Sequence, residues 1–298
     1  LSDADKALFN KIYDELLKQR GNCNILLQTY FGDVRDIYED IINKPFAGVG
    51  LDFNEGRKTF ELVEKYGFSA GKLLFAGVVN GKNIWKNNYK KTLDLISSIK
   101  NACDNNINVV ISTSCSLLHV PYTLKHEDKL ADSYKIHFSF AEEKLTELAE
   151  LGVLADKKQD KVKSENAYID NQKVFEEERN CHNAEVKERL ANIKEEDYVR
   201  LPLRSERQKL QKEKLGLPEF PTTTIGSFPQ TKEIKAERAA YRKNEISEEE
   251  YTQYIKKQIA DCVKWQEEIG LDVLVHGEYE RNDMVEYFGE ALEGYLFT

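Results

Sequence analysis

Short apolar runs and helical spacing alternate along the first half of the chain. The runs lie at residues 24–30, 48–53, 72–79 and 107–114. Around them, apolar residues recur three or four apart, as at residues 7–17, 34–42, 58–66 and 89–102. Strands with little polar alternation, separated by helices, are typical of a parallel sheet that is buried on both faces. The pattern therefore predicts four strand–helix units of an α/β fold.

Four such units are half of what a closed barrel of parallel strands requires. A (β/α)₈ barrel needs eight units and about 250 residues. The pattern therefore favours half of a TIM-barrel-type domain. A small open α/β sheet stays open as the alternative.

A charged segment follows, from about residue 155 to residue 200. It contains no glycine and few apolar residues, which favours a long solvated helix or a helical hairpin over a flexible linker. Ser205 and Gln208 then match a capping box at the start of another helix. Gly216 matches the residue that ends that helix, and Pro218 blocks its continuation. This punctuation predicts a domain boundary at residues 217–221.

A second series of strands and helices is predicted after that boundary. Residues 221–229 read as a β-branched strand that breaks into a turn, and residues 271–278 read as a second buried strand. Between them, a helix is predicted to begin at Ser247, with Glu250 as its capping-box partner, and to end at Gly270. The predicted domains are therefore residues 1–154 as half of one barrel, 155–217 as a charged helical connector, and 218–298 as the start of a second barrel.

Composition and charge exclude several classes of function. The 298 residues carry 43 Lys and Arg against 52 Asp and Glu, a net charge of −9, so nothing favours binding to nucleic acid or to a membrane surface. No apolar run reaches the roughly 20 residues that span a bilayer, and no signal peptide is apparent. Five widely spaced cysteines are typical of a reducing compartment. We therefore expect a cytoplasmic protein, and the missing initial Met suggests a cut chain.

The ends of the two later predicted strands carry the strongest candidate chemistry. In a barrel, ligands bind at the carboxyl edge of the strands, where Gly226, Ser227 and Glu278 are expected. Gly226 would let a ligand approach the backbone, Ser227 offers an N–H and a hydroxyl, and Glu278 can accept from an ammonium group. Together they would suit the two ends of an amino acid. The structural alternative is a turn glycine, a helix cap and a salt-bridged carboxylate.

Other polar groups are more simply explained by structure. Cys115 and His119 are four residues apart but lack a third zinc ligand, and Cys181 and His182 are adjacent in a charged helix, where neighbours point apart. His276 is expected to be a buried, hydrogen-bonded histidine. Residues 280–286 could form a charged rim beside the pocket, with Asn282 or Asp283 as a helix cap as the alternative. No catalytic residue and no metal ligand is assigned.

Several long segments closely resemble cobalamin-independent methionine synthase. Residues 246–251, 272–278 and 280–290 belong to the match, as do residues 75–85 and 114–119 earlier in the chain. The most distinctive segment is residues 220–230, Phe-Pro-Thr-Thr-Thr-Ile-Gly-Ser-Phe-Pro-Gln. The resemblance covers essentially the whole chain. It implies the second half of an N-terminal barrel, a helical connector and the first strands of a C-terminal barrel, in a chain that lacks both ends of the enzyme.

The resemblance also implies an activity and a binding site. The family transfers a methyl group from 5-methyltetrahydropteroyl-polyglutamate to homocysteine, with zinc and without cobalamin. Ile225, Gly226 and Ser227 match its homocysteine-binding strand end, and Glu278 matches its ligand for the amino group. The zinc ligands and the catalytic histidine would lie beyond residue 298, so this chain alone is expected to be inactive.

Half a barrel would also leave strand edges and apolar surface open, which favours self-association. Two other functions stay open. One is a non-catalytic association module, and the other is a related zinc-dependent methyltransferase with another thiol substrate.

Overall fold

The computed structural model describes residues 1–103, 106–176 and 183–297. The chain divides into two compact units, residues 1–179 and residues 180–297. Within the described ranges, no helix has the length and apolar character needed to cross a membrane. Cys181 and His182, which were assigned to a charged helix, lie outside the described residues.

The first unit is built on a sheet of four parallel strands. They are β1 (Leu26–Gln28), β2 (Gly48–Asp52), β3 (Leu73–Val79) and β4 (Asn108–Thr113). The strands pair in sequence order, with Leu26 opposite Gly48, Gly48 opposite Leu73, and Leu73 opposite Asn108. All four predicted strands are confirmed, and the α/β class with them.

Helices precede, separate and follow these strands. They comprise α1 (Asp3–Lys18), α2 (Tyr38–Asn43), α3 (Thr59–Tyr66), α4 (Tyr89–Ala102), α5 (Asp132–Lys135), α6 (Ala141–Ala155), α7 (Gln159–Val162) and α8 (Asn166–Glu176), with short 3₁₀ turns at Leu117–His119 and Leu124–His126. The sheet and α2 to α4 enclose one apolar core. Its fully buried members include Ile41, Val49, Val63, Leu74 and Ile99. This burial on both faces is why the strands lack polar alternation.

Buried polar side chains tie α4, α6 and α8 together. Asn171 on α8 accepts from the Tyr89 N–H at 2.9 Å and donates to the Asn87 carbonyl at 2.8 Å. Glu147 on α6 accepts from the Asn87 N–H at 2.9 Å, and burial raises its pKa. The start of α4 is thereby capped from two other helices. The described start of the charged segment forms the short helices α7 and α8 and not a single long helix, while the alternative of a helical hairpin stays open.

The second unit is mainly helical. It contains α9 (Ala184–Ala191), a 3₁₀ turn at Glu195–Tyr198, α10 (Arg204–Leu215), α11 (Lys232–Arg242), α12 (Glu248–Ile269) and α13 (Met284–Glu290). The predicted capping box at Ser205 is wrong, because the N-cap of α10 lies two residues earlier, at Leu203, and has no side-chain cap. Gly216 does end α10, in the left-handed conformation that glycine adopts without strain.

The two strands predicted in the second unit do not form. Residues 221–229 and 271–278 run side by side with a single parallel bridge, between Ser227 and Gly277. Much of both segments is exposed, and Ile225 is 93% exposed. A β-branched run becomes a strand only where neighbouring strands supply partners and burial. The described part of this unit has no other strand to supply them.

The predicted start of α12 is confirmed. The Ser247 hydroxyl accepts from the Glu250 N–H at 3.2 Å, and the Glu250 carboxylate accepts from the Ser247 N–H at 2.8 Å. Both partners of a capping box are therefore present. At the other end, Gly270 is left-handed, with φ of 79°. Ile255 and Cys262 on this helix are buried.

Ser247→Ala should lower the free energy of unfolding of the second unit by about 1 kcal/mol, because the first turn of α12 loses its cap. Urea unfolding followed by circular dichroism measures the loss. Trp265 fluorescence in a Trp85→Phe background follows α12 itself. Ser205→Ala is the control and should change stability by less than about 0.5 kcal/mol, since Ser205 caps nothing. Equal losses in the two variants would contradict the assignment.

Candidate ligand site at Gly226 and Glu278

Two extended segments in the second unit carry the candidate site, and they are joined at both ends. At one end, the Thr222 N–H and hydroxyl donate to the Asp272 carboxylate at 2.7 and 2.8 Å. These bonds, with the backbone N–H first, lower the pKa of Asp272. At the other end, the Phe228 N–H donates to the Gly277 carbonyl at 3.0 Å. The segments are thus held in register with few backbone hydrogen bonds.

The side chain of Gln266 makes the hydrogen bonds that a neighbouring strand would make. It is fully buried on α12, and its amide accepts from the Val275 N–H at 3.0 Å and donates to the Val275 carbonyl at 2.7 Å. Both polar groups of that peptide position are satisfied by one side chain, as an adjacent strand would satisfy them. This fixes the path of the chain into Gly277 and Glu278.

The Glu278 carboxylate lies beside Gly226. A Cβ added to Gly226 would lie 2.9 Å from Glu278 Oε1, and Gly226 has φ of +112°. The carboxylate therefore occupies the space that a side chain at position 226 would take, and the backbone there has a conformation that favours glycine. Glu278 itself has φ of +57°, the left-handed region that costs an L-residue roughly 1–2 kcal/mol. The two residues that the sequence singled out are brought together.

Ile225 and Ser227 flank this contact without entering it. The Ile225 side chain points into solvent. Ser227 is exposed and pairs through its backbone with Gly277, the residue before Glu278. Ser227 does not cap a helix, since α11 is capped by the Thr231 hydroxyl, which accepts from the Ile234 N–H. Ile225 and Ser227 therefore contribute backbone groups, and not side chains, to the candidate site.

Glu278 belongs to a group of partly buried charges. Arg281 Nη2 lies 2.7 Å from Glu278 Oε1, and Arg281 Nη1 lies 3.0 Å from Glu280 Oε1. The hydrogen bond to Glu278 raises the pKa of Arg281. Glu278 is therefore a salt-bridged carboxylate, as the structural alternative from the sequence expected. Glu278 and Glu280 thus share one guanidinium.

His276 was expected to be buried, and this is wrong. Its side chain is 50% exposed, and Nδ1 lies 3.5 Å from Glu280 Oε2. The ring does make a hydrogen bond, accepting from the Glu278 N–H at 3.3 Å. Because the segment lacks a strand on its outer side, nothing covers the ring. Asp283 is the cap of α13, accepting from the Glu286 N–H at 2.8 Å.

Arg238 organises the turn that carries Glu278, and sequence reasoning missed it. It is 8% exposed and its Nη2 donates to the carbonyls of Tyr279 at 2.8 Å and Arg281 at 3.3 Å. The same nitrogen donates to Gln230 Oε1, whose amide donates to the Glu278 carbonyl. One signal pointed to it. Arg238 follows the buried Ile234 by four residues, which puts it on the inner face of α11.

Tyr279 anchors the turn on its apolar side. Its ring is buried in a cluster with Ile234, Ile255 and Cys262. Burial, with a hydrogen bond to Cys262, raises the pKa of Tyr279 to about 12. The turn is therefore held by the packing of Tyr279 and by the hydrogen bonds of Arg238. The Glu278 carboxylate is 25% exposed and remains open to solvent.

Comparison with known proteins indicates the family to which the chain belongs. Residues 1–104 match the model for the N-terminal domain of cobalamin-independent synthase, and residues 220–298 match the model for its catalytic domain. Together the two models cover more than half of the chain. The chain belongs to the cobalamin-independent methionine synthase family.

Curated relatives of this family agree over the whole chain. A protein from Lactococcus lactis subsp. lactis (strain IL1403) is 51% identical over 297 residues, and one from Streptococcus sanguinis (strain SK36) is 50% identical over 298 residues. One from Bifidobacterium longum (strain NCC 2705) is 51% identical over 295 residues. All three are named 5-methyltetrahydropteroyltriglutamate–homocysteine methyltransferase. The chain spans 38% of the length of each.

The described residues do not fit the zinc that the resemblance implies. No group of three or more His, Cys, Asp or Glu side chains that could hold a metal ion occurs among them. Cys115 is buried, which raises its pKa, and His119 packs against the ring of Phe31. A zinc ligand would need the thiolate form of Cys115. The explanation of this pair as a buried cysteine and a loop histidine is confirmed.

Gly226→Ala should displace the Glu278 carboxylate, because the new methyl group would lie 2.9 Å from Oε1. The guanidinium resonances of Arg281 in a nitrogen–proton correlation spectrum report the displacement, and Arg281→Gln assigns them. Gly216→Ala is the control. It has the same kind of backbone strain, about 1 kcal/mol, at φ of +59° with nothing within 4 Å. The contact is disproved if both variants leave the Arg281 resonances in place.

Proposed function

We propose that this chain carries the amino-acid half of the homocysteine site of a cobalamin-independent methionine synthase. In the longer enzyme, the reaction would move a methyl group from 5-methyltetrahydropteroyl-polyglutamate to the thiol of L-homocysteine and yield L-methionine. The observation that carries the proposal is the partly exposed Glu278 carboxylate lying beside Gly226. The names of the relatives point to the same substrate.

The chemistry of the contact suits an α-ammonium group. A carboxylate that is one quarter exposed can exchange water for an N–H donor, and charged hydrogen bonds of this kind are the stronger class. Beside it, the exposed backbone of residues 225–227 offers N–H groups for the α-carboxylate, and the positive φ of Gly226 leaves space for the ligand to approach. Glu278 would thus bind the amino group, while Ile225, Gly226 and Ser227 bind the carboxylate.

The proposal extends to the fold. Four parallel strands paired in sequence order, each linked to the next through a helix, suit one half of a (β/α)₈ barrel. We infer that residues 1–154 are that half barrel, residues 155–217 the connector, and residues 218–298 the start of the catalytic barrel. Zinc would be held by parts of the enzyme other than the residues described here.

L-Homocysteine should bind to the chain saturably in a calorimetric titration, and Glu278→Gln should weaken that binding at least tenfold, because the ammonium group loses its charged partner. Glu249→Gln, an exposed change in the first turn of α12, is the matched control. So is 4-mercaptobutyrate, which keeps the thiol and the carboxylate but lacks the ammonium group. Homocysteine binding that is equal in the wild-type chain and in Glu278→Gln would overturn the assignment of Glu278.

The purified chain should not transfer a methyl group from 5-methyltetrahydropteroyl-triglutamate to homocysteine. The described residues lack a set of ligands that could hold the thiol as a metal-bound thiolate, and the free thiol is a weak nucleophile at neutral pH. Methionine formation with added zinc, measured by chromatography, checks this. A signal above that of a heat-inactivated sample would be the contradicting result. Self-association of the open barrel and a cytoplasmic location stay predictions.

A further inference from the structure

Arg281 occupies a particular position in the second unit, at the end of the turn that begins with Glu278. The Arg281 N–H donates to the Glu278 carbonyl at 3.4 Å, which closes the turn. Its guanidinium then reaches back to the carboxylates of Glu278 and Glu280. The side chain is 15% exposed, whereas both glutamates are 25% exposed. The arginine is therefore somewhat more buried than the carboxylates that it contacts.

Two aromatic rings lie close to the guanidinium. Its central carbon lies 5.8 Å from the ring centre of Tyr287 and 5.7 Å from that of Phe288, both on α13. Such cation–π contacts add about 0.5–1 kcal/mol each at partly exposed sites. The start of α13 is in turn capped by Asp283. Arg281 is therefore held by two carboxylates and lies close to two partly exposed rings.

This arrangement constrains where the Glu278 carboxylate can go. Its Oε1 lies between Arg281 Nη2 at 2.7 Å and the face of Gly226. An unrestrained glutamate side chain samples many rotamers, and fixing one of them costs free energy. The charged hydrogen bond to Arg281 selects the one rotamer that places the carboxylate over Gly226.

We propose that Arg281 is a positioning residue for amino-acid recognition, which holds the Glu278 carboxylate beside Gly226, where it can accept from one ammonium group. The proposal rests on the proposed function for the identity of the ligand. The positioning itself is a property of the free protein, so it is tested without ligand.

The first experiment follows the Gly226 amide in a nitrogen–proton correlation spectrum of the full chain. Glu278→Gln should shift this resonance, because the contacting carboxylate is lost. Arg281→Gln should shift it by a similar amount, and Arg281→Lys should restore part of the wild-type position because a cation remains. Arg242→Gln is the matched control, since Arg242 lies in the same unit and is 4.0 Å from Glu286 but remote in contact from Glu278. It should leave Gly226 unchanged.

The outcomes separate the two proposals. A Gly226 resonance that moves in Glu278→Gln but stays in place in Arg281→Gln overturns the positioning role, and so does a resonance that moves in neither. A general loss of fold in Arg281→Gln would shift resonances throughout the second unit, and Arg281→Lys then supplies the deciding comparison. In the calorimetric titration, Arg281→Gln should weaken homocysteine binding about tenfold. Absence of binding to the wild-type chain would count against the proposed function, and the Gly226 spectra would still decide the role of Arg281.

Discussion

The second unit depends on satisfying buried backbone groups without a sheet. Backbone N–H and C=O groups that leave water must find partners, and residues 271–281 have one short parallel contact in place of two neighbouring strands. Gln266 replaces the missing strand at Val275, and Arg238 gathers the carbonyls of the following turn. Both are buried polar side chains on helices, so α11 and α12 set the geometry of the site although neither contributes a residue to it.

The first unit satisfies its buried backbone groups with regular secondary structure. Its strands satisfy one another, and its polar side chains are needed mainly at helix starts, where Asn171 and Glu147 bind the peptide groups before α4. Truncating such a buried partner leaves a desolvated group unpaired, which costs about 1–3 kcal/mol. The two units therefore differ in which groups pair with their buried backbone N–H and C=O groups. In the first, most pairing follows from strand order, whereas in the second it depends on a few individual side chains.

This difference explains how far the sequence alone could lead. The strands of the first unit and the capping box of Ser247 follow from local patterns, because burial on both faces and a Ser-x-x-Glu spacing are visible along the chain. The strands expected at residues 221–229 and 271–278 did not form because a strand needs partners that no local pattern can guarantee. Gly226 and Glu278 were singled out from the ends of the predicted strands, and the motif resemblance matched the same residues. Arg238 and Arg281 act through contacts that arise only on folding, so neither pattern nor motif could assign their roles.

The backbone of Glu278 bears on whether its carboxylate is there for structure or for ligand binding. Glycine or asparagine would adopt φ of +57° with less strain than glutamate does. The strain costs roughly 1–2 kcal/mol, and glycine at this position would remove it together with the ion pair to Arg281. Residues held in strained backbone regions cluster at functional sites, which supports the role proposed for the Glu278 carboxylate.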